Sequence, residues 1–196
     1  MENIPILDIR HISIIDSLPV YNTKKEVLTI GCGDCKIDYH LIKMGYKVYS
    51  TDYETNDVFH NRMKDYFQEL NYYHSNVFDI NSFPIKIAES VICSEVLEHL
   101  INYKEAFKNL LGLTERKLII TVPYERSFND TAPPPIGHCN YWSNITTLEF
   151  KDIHEFESMA KPYAISIQKI RTKERDIKMM QYDYLIIIDK NQKYNV

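Results

Sequence analysis

Four side chains in this sequence have types and spacing suited to chemistry near neutral pH. Glu95, Glu98 and His99 are spaced i, i+3 and i+4, so one helix face can present all three. His138 follows later, in a stretch rich in proline and aromatic residues. Together they make a two-carboxylate, two-imidazole set whose donor chemistry suits Mg²⁺, Mn²⁺ or Zn²⁺. Without a metal, either imidazole titrates in the right range to act as a general base. Each of the two also suits a plain hydrogen-bonded structural role. His11, His40, His60, His74 and His154 have no comparable context. Cys32 and Cys35 have the spacing of a redox or zinc pair, but no second pair at ligand spacing accompanies them. One is expected in a turn and the other at a helix start, both reduced.

A second group of residues is suited to binding. The apolar run Val27 to Ile30 reads as a buried parallel strand, and it ends in Gly31-Cys32-Gly33, where the backbone must turn and stay bare. A helical pattern through Ile37, His40, Leu41 and Met44 follows and stops at Gly45. The next strand, Lys47 to Thr51, ends at Asp52, roughly twenty residues beyond the turn. Strand, glycine turn, helix, strand, acid is the layout of an adenosine-ligand site in a doubly wound sheet, the acid accepting ribose hydroxyls. Lys36 stands where a dinucleotide fingerprint has its third glycine, which disfavours a nicotinamide or flavin pyrophosphate.

The remaining elements must hold these two groups. Residues 1–25 carry many isoleucines and are expected to pack as a cap on the sheet or over the ligand, with Tyr21 near the glycine turn. A polar helix is expected from Asn56 to Leu70, with Val58, Met63, Phe67 and Leu70 inward. Tyr72 to Phe78 reads as the third strand, ending at Asp79, which either binds ligand or caps the following turn. Ser90 to Ser94 is the fourth strand, followed by a helix through Ala106, Phe107, Leu110 and Leu111 that closes at Gly112. Lys117 to Val122 is the fifth strand, stopped by Pro123. Residues 124–144 read as a substrate lid, because a long structureless connection after a strand end in a compact domain is usually functional. A helix from Thr147 to Met159, capped by Thr146, and strands Tyr163 to Ile170 and Tyr182 to Ile188 complete the chain. The expected fold is α/β: one domain over 1–196, with a doubly wound, Rossmann-like, mostly parallel seven-stranded sheet, helices on both faces and the last strand antiparallel.

Leu28-Thr29-Ile30-Gly31-Cys32-Gly33, Asp52, Asp79, Cys93-Ser94-Glu95-Val96-Leu97-Glu98-His99-Leu100 and Val122-Pro123 with the later His138 resemble, across nearly the whole chain, a small class I S-adenosylmethionine-dependent methyltransferase. The resemblance implies S-adenosylmethionine as cofactor, held by Gly31, Cys32, Gly33, Asp52, Tyr53, Phe78, Asp79, Ser94 and Glu95. It implies that Asp79 meets the exocyclic amine of adenine. His99 and His138 become the candidate catalytic residues, and Glu95, Glu98, His99 and His138 resemble the metal set of the small-RNA 2′-O-methyltransferases. Two positions depart from the pattern. The group usually carries an acid where Thr29 stands, which commonly helps hold the cofactor's ammonium, and a small residue where Cys35 stands. Thr29 brings a hydroxyl without charge, and Glu26 is the nearby acid that could compensate.

Composition bounds the partners. The 196 residues carry a net charge of −4, so no global basic field favours a nucleic-acid backbone. No signal peptide and no apolar run of membrane-spanning length is evident, which gives the expectation of a cytoplasmic protein without a membrane partner. The leading expectation is methyl transfer to an oxygen or nitrogen of a small polar acceptor, such as a sugar. Metal-assisted methylation of an RNA ribose, and a non-catalytic cofactor-binding partner of another methyltransferase, are the competing readings. Oligomeric state is not legible.

Overall fold

A computed structural model describes residues 5–19, 24–57, 59, 70–124, 153–175 and 179–193. Seven strands form one sheet: β1 Glu26–Ile30, β2 Lys47–Asp52, β3 Tyr72–His74, β4 Ala88–Ser94, β5 Thr114–Tyr124, β6 Tyr163–Arg175 and β7 Met179–Lys193. Their order is β3-β2-β1-β4-β5-β7-β6. The first five run parallel, while β7 is antiparallel to both β5 and β6. The expected α/β sheet with an antiparallel last strand is what the chain forms.

The apolar strands bury both faces, as parallel strands must when helices cover each side. Along β1, alternation sends Leu28 and Ile30 to one face and Val27 to the other. The first face is covered by α3 (Tyr103–Leu113), through Ala106, Phe107, Leu110 and Leu113, and by α4 (Glu155–Ala160), through Phe156 and Ala160. Each such fully buried large side chain contributes about 1.5–3 kcal/mol. The second face is covered by α1 (Ile9–Asp16) and α2 (Lys36–Lys43), where Ile14, Ile37 and Leu41 pack with Val27, Val48, Ile92, Ile119 and Leu185.

Helix α1 lies in the segment expected to pack as a cap, and a capping box starts it. The Asp8 carboxylate accepts from the His11 backbone N–H at 3.0 Å, and the His11 ring accepts from the Asp8 N–H at 3.2 Å. It lies against β6 and β7 as well as α2.

Several element boundaries differ from expectation. Strand β3 covers only Tyr72–His74. The polar residues after it fold back on one another: the Asn76 carboxamide accepts from Phe78 N–H at 3.0 Å, and the Asn76 N–H donates to Ser82 Oγ at 2.8 Å. Gly112 lies inside α3 and does not close it. Pro123 does not stop β5, because β4 ends beside Thr121, and past that point β5 pairs only with β7, where a missing N–H is tolerated. Ile153 and His154 form a turn, so α4 starts at Glu155 and no continuous helix runs to Met159 from Thr147. Of the expected Asn56–Leu70 helix, Asn56, Asp57 and Leu70 are described, and so is Phe59. It is buried and stacks on Tyr72, with ring centroids 3.6 Å apart. The expected lid, Tyr21, Thr146 and His138 lie outside the described residues, apart from Tyr124, whose backbone ends β5.

Candidate active site

Adjacent parallel strands β1 and β4 end side by side, and the site lies at their carboxyl ends. Gly31 leaves β1 at φ 70° and Gly33 follows at φ 53°, conformations in which a side chain is strained. At Gly31 space is also decisive: an added Cβ would lie 2.2 Å from Val96 Cγ2. At Gly33 the nearest atom to such a Cβ is 4.0 Å away, so that side of the turn is open for a ligand to approach. The turn is tied to the end of β2. Cys32 N–H donates to the Thr51 carbonyl at 3.0 Å, and Gly33 N–H donates to Asp52 Oδ2 at 3.1 Å. Asp52 Oδ1 accepts from Tyr53 N–H at 2.7 Å, which fixes the carboxylate against its own turn.

One cavity of about 250 Å³ joins the two strand ends, and Gly31, Cys32, Gly33, Ser94 and Glu95 all line it. Among the described residues its wall does not include Asp52, which touches it only through Gly33, nor Tyr53, Phe78 or Asp79, which follow the ends of β2 and β3. Tyr53 is 69% exposed and Phe78 39%. Asp79 Oδ1 accepts from Asn81 N–H at 3.0 Å and so caps the short 3-10 turn Ile80–Ser82.

The structure corrects the expectation of one helix face shared by Glu95, Glu98 and His99. Glu95 lies at φ 57°, outside any helix, and only Leu97–His99 form a 3-10 turn. A left-handed residue aims its side chain away from the turn that follows. Glu95 accordingly reaches Arg10 on α1, with Oε2 at 3.2 Å from Nη1, and its Oε1 accepts from Thr121 Oγ1 at 3.0 Å. Glu98 points inward, is 1% exposed, and its Oε2 has no hydrogen-bond partner among the described residues. His99 Nε2 stands 3.6 Å from Glu98 Oε1. Among the described residues no group of three or more His, Cys, Asp or Glu side chains is placed to hold a metal ion. Glu95 already faces a cation, so these described residues do not fit the expected ion and no step is derived through one.

Charge is concentrated here. Arg10 also meets Asp183 of β7 at 3.5 Å and Asp8 at 3.9 Å. Burial pulls the Arg10 guanidinium down, but Glu95, Asp183, Asp8 and Glu98 together push it up. Burial first, then Asp183, pushes the Glu95 carboxyl up to about 8, against Arg10. Burial and then Glu95 push Glu98 well above the usual carboxylate range. On the other wall Thr29 Oγ1 donates to Asp38 Oδ1 at 2.5 Å, and Ser50 Oγ donates to the same oxygen at 2.5 Å. Glu26, the acid considered as a substitute for the missing charge at 29, instead pairs with Lys47 at 3.2 Å. The Cys32 thiol is pushed well up, first by its hydrogen bond with Cys35 and then by burial, which makes it a poor nucleophile.

Arg10, Asp38 and Asp183 are therefore site residues that sequence reasoning missed. Arg10 and Asp183 are brought together across the whole length of the chain by β7. Asp38 did leave a signal: an acid beside Ile37 and Leu41, on the inward side of a helix that follows a glycine turn.

Sheet order, glycine turn and strand-end acid together define a class of fold: the chain has the fold of the class I S-adenosylmethionine-dependent methyltransferases. Residues 28–117 match the family model described as a methyltransferase domain. Among solved structures, the chain is similar to magnesium protoporphyrin IX methyltransferase of Synechocystis PCC 6803 with bound SAM. There the TM-score is 0.59 at 14% identity, covering 91% of this chain and 76% of that one. It is similar to the N-methyltransferase NodS of Bradyrhizobium japonicum WM9 in complex with S-adenosyl-L-homocysteine, at TM-score 0.60 and 12% identity, covering 92% and 85%. Phosphoethanolamine N-methyltransferase 2 of Haemonchus contortus, in complex with S-adenosyl-L-methionine, gives TM-score 0.64 and 13% identity, covering 92% of this chain and 52% of that one. No curated protein sequence matches this chain significantly. Among the described residues no helix is long and apolar enough to cross a membrane.

Proposed function

We propose that this protein transfers a methyl group from S-adenosylmethionine to an oxygen or nitrogen of a small polar acceptor, such as a sugar or related metabolite. The observation that carries the reading is the cavity between the open face of Gly33, tied to Asp52, and the Ser94–Glu95 end of β4. When bound, the cofactor supplies an electrophilic methyl group on a sulfonium. The chain's own part is to hold cofactor and acceptor in line and to accept a proton.

In this reading Gly31, Cys32 and Gly33 present bare backbone to the cofactor, and Asp52 accepts its ribose hydroxyls. Tyr53 and Phe78, exposed at the outer end, flank the adenine, and Asp79 meets its exocyclic amine with the oxygen that Asn81 does not use. Ser94 and Glu95 border the reacting end. His99, beside Glu98, and His138 are the candidate bases. Glu95 is already paired with Arg10, which favours a reaction that uses a protein base without Mg²⁺ or Mn²⁺. The negative net charge favours a small acceptor over nucleic acid.

Thermal shift tests the cofactor. S-adenosylhomocysteine is expected to raise the melting temperature, and Asp52→Ala to remove most of that shift, because losing a charged acceptor costs about 1.5–3 kcal/mol of binding. Equal shifts in both proteins would take Asp52 out of the site, and a shift with NAD instead would overturn the reading. Mass spectrometry with candidate acceptors then identifies the product.

A further inference from the structure

Asp38, in the first turn of α2, is 1% exposed and lines the cavity together with Thr29. Its Oδ1 is held by two hydroxyls, yet among the described residues no Lys, Arg or His forms an ion pair with it. The nearby Lys36 is taken by Asp34 at 2.8 Å. A buried carboxylate without a countercharge is costly, and a fold that keeps one beside a ligand cavity has a use for it. Burial pushes its carboxyl above the ordinary range and the hydroxyls of Ser50 and Thr29 offset only part of that, so a cation brought to it would relieve the cost of its charge. Elsewhere on the cavity wall is Arg10, a partly exposed guanidinium whose Nη1 meets Glu95 and Asp183 and whose Nε has no hydrogen-bond partner among the described residues. A carboxylate and a guanidinium lining one cavity match a ligand end that carries an ammonium and a carboxylate together.

We propose that Asp38 binds the ammonium of the cofactor's amino-acid end, from the helix rather than from strand position 29, while Arg10 meets its carboxylate. Thr29 then positions Asp38: a hydroxyl cannot replace a negative charge, but it can donate to one and hold it in place. Charge has moved from strand to helix, and the hydrogen bond between Thr29 and Asp38 joins the old place to the new one. The proposal rests on the cofactor reading above, and the test separates the two.

Calorimetric affinities are measured for S-adenosylhomocysteine, for its des-amino analogue and for 5′-methylthioadenosine, which lacks the amino-acid end. Wild type is expected to bind S-adenosylhomocysteine about 10- to 150-fold more tightly than the des-amino analogue, the worth of a charged hydrogen bond. Asp38→Asn is expected to erase that preference while leaving methylthioadenosine within about twofold, the scatter of substitutions away from a contact. Should that variant not fold, Asp38→Ala with Thr29→Glu carries the test. A kept preference for the ammonium-bearing ligand then supports the proposal, and its loss overturns it. Binding of all three ligands by wild type without discrimination, or an undiminished preference in Asp38→Asn, overturns the proposal alone. Failure of wild type to bind any of them overturns the cofactor reading and the proposal with it.

Discussion

The ends of β1 and β4 meet the same geometric demand with opposite residues. Both strands must turn sharply where they stop, and both do so through a positive φ, Gly31 at 70° and Glu95 at 57°. Glycine adopts that conformation without steric penalty, whereas for glutamate it costs about 1–3 kcal/mol. The first turn has given up side chains to leave backbone bare. The second keeps a strained residue for the sake of its carboxylate, held by Arg10 and Thr121. The two turns also interlock, since Val96, next to Glu95, fills the space a side chain on Gly31 would need. The difference separates a surface made to be approached from one made to hold charge.

Gly31→Ala attacks the interlock and is expected to have the largest effect. It combines the φ penalty with a 2.2 Å clash against Val96 and should destabilise the fold by about 2 kcal/mol. Urea denaturation reads this, and Gly31→Ala with Val96→Ala should recover part of it. An unchanged midpoint in the single variant would show that the turns are independent.

Glu95→Gly sharpens the contrast by making the second turn like the first. Relief of the backbone strain is expected to raise stability by about 1 kcal/mol, while methyl transfer falls. A variant that is less stable than wild type would mean that the Arg10 and Thr121 contacts outweigh the strain. One that is more stable and fully active would remove Glu95 from function.

A third test is the pH dependence of stability. Glu95 is pushed up to about 8 from an ordinary 4.5, so between those values the folded chain holds a proton that the unfolded chain has released. Stability should therefore fall as pH rises from about 5 to 8. Glu98 acts in the same direction, and Arg10 makes the slope shallower. Glu95→Gln should flatten part of the slope, and an unaltered slope would assign the dependence to other groups.

What was legible in the sequence was what depends on neighbours along the chain. The apolar run of β1, the Gly31–Gly33 turn and the acid ending β2 are local patterns, and they appear where expected. The Glu95, Glu98, His99 spacing was also local, but it presumed a helix that the positive φ at Glu95 prevents. Strand β3 was read too long because Val77 and Phe78 are apolar, although Asn76 and Ser82 fold that stretch into a turn. The ion pairs of Arg10 were out of reach, because Asp183 is 173 positions away and only the sheet order brings it near.

Helix α1 docks on β6 and β7, and among the described residues β6 has no strand partner other than β7. During synthesis, then, the segment bearing Arg10 emerges before β1 but finds its seat only after β7. β1 to β5 can pair in the order in which they leave the ribosome, whereas this helix must wait for Asp183 and Leu185. A nascent chain halted before β7 would own the glycine turn and Asp52 yet lack one wall of the pocket. Ligand competence is thus expected to arrive abruptly, with the final strand.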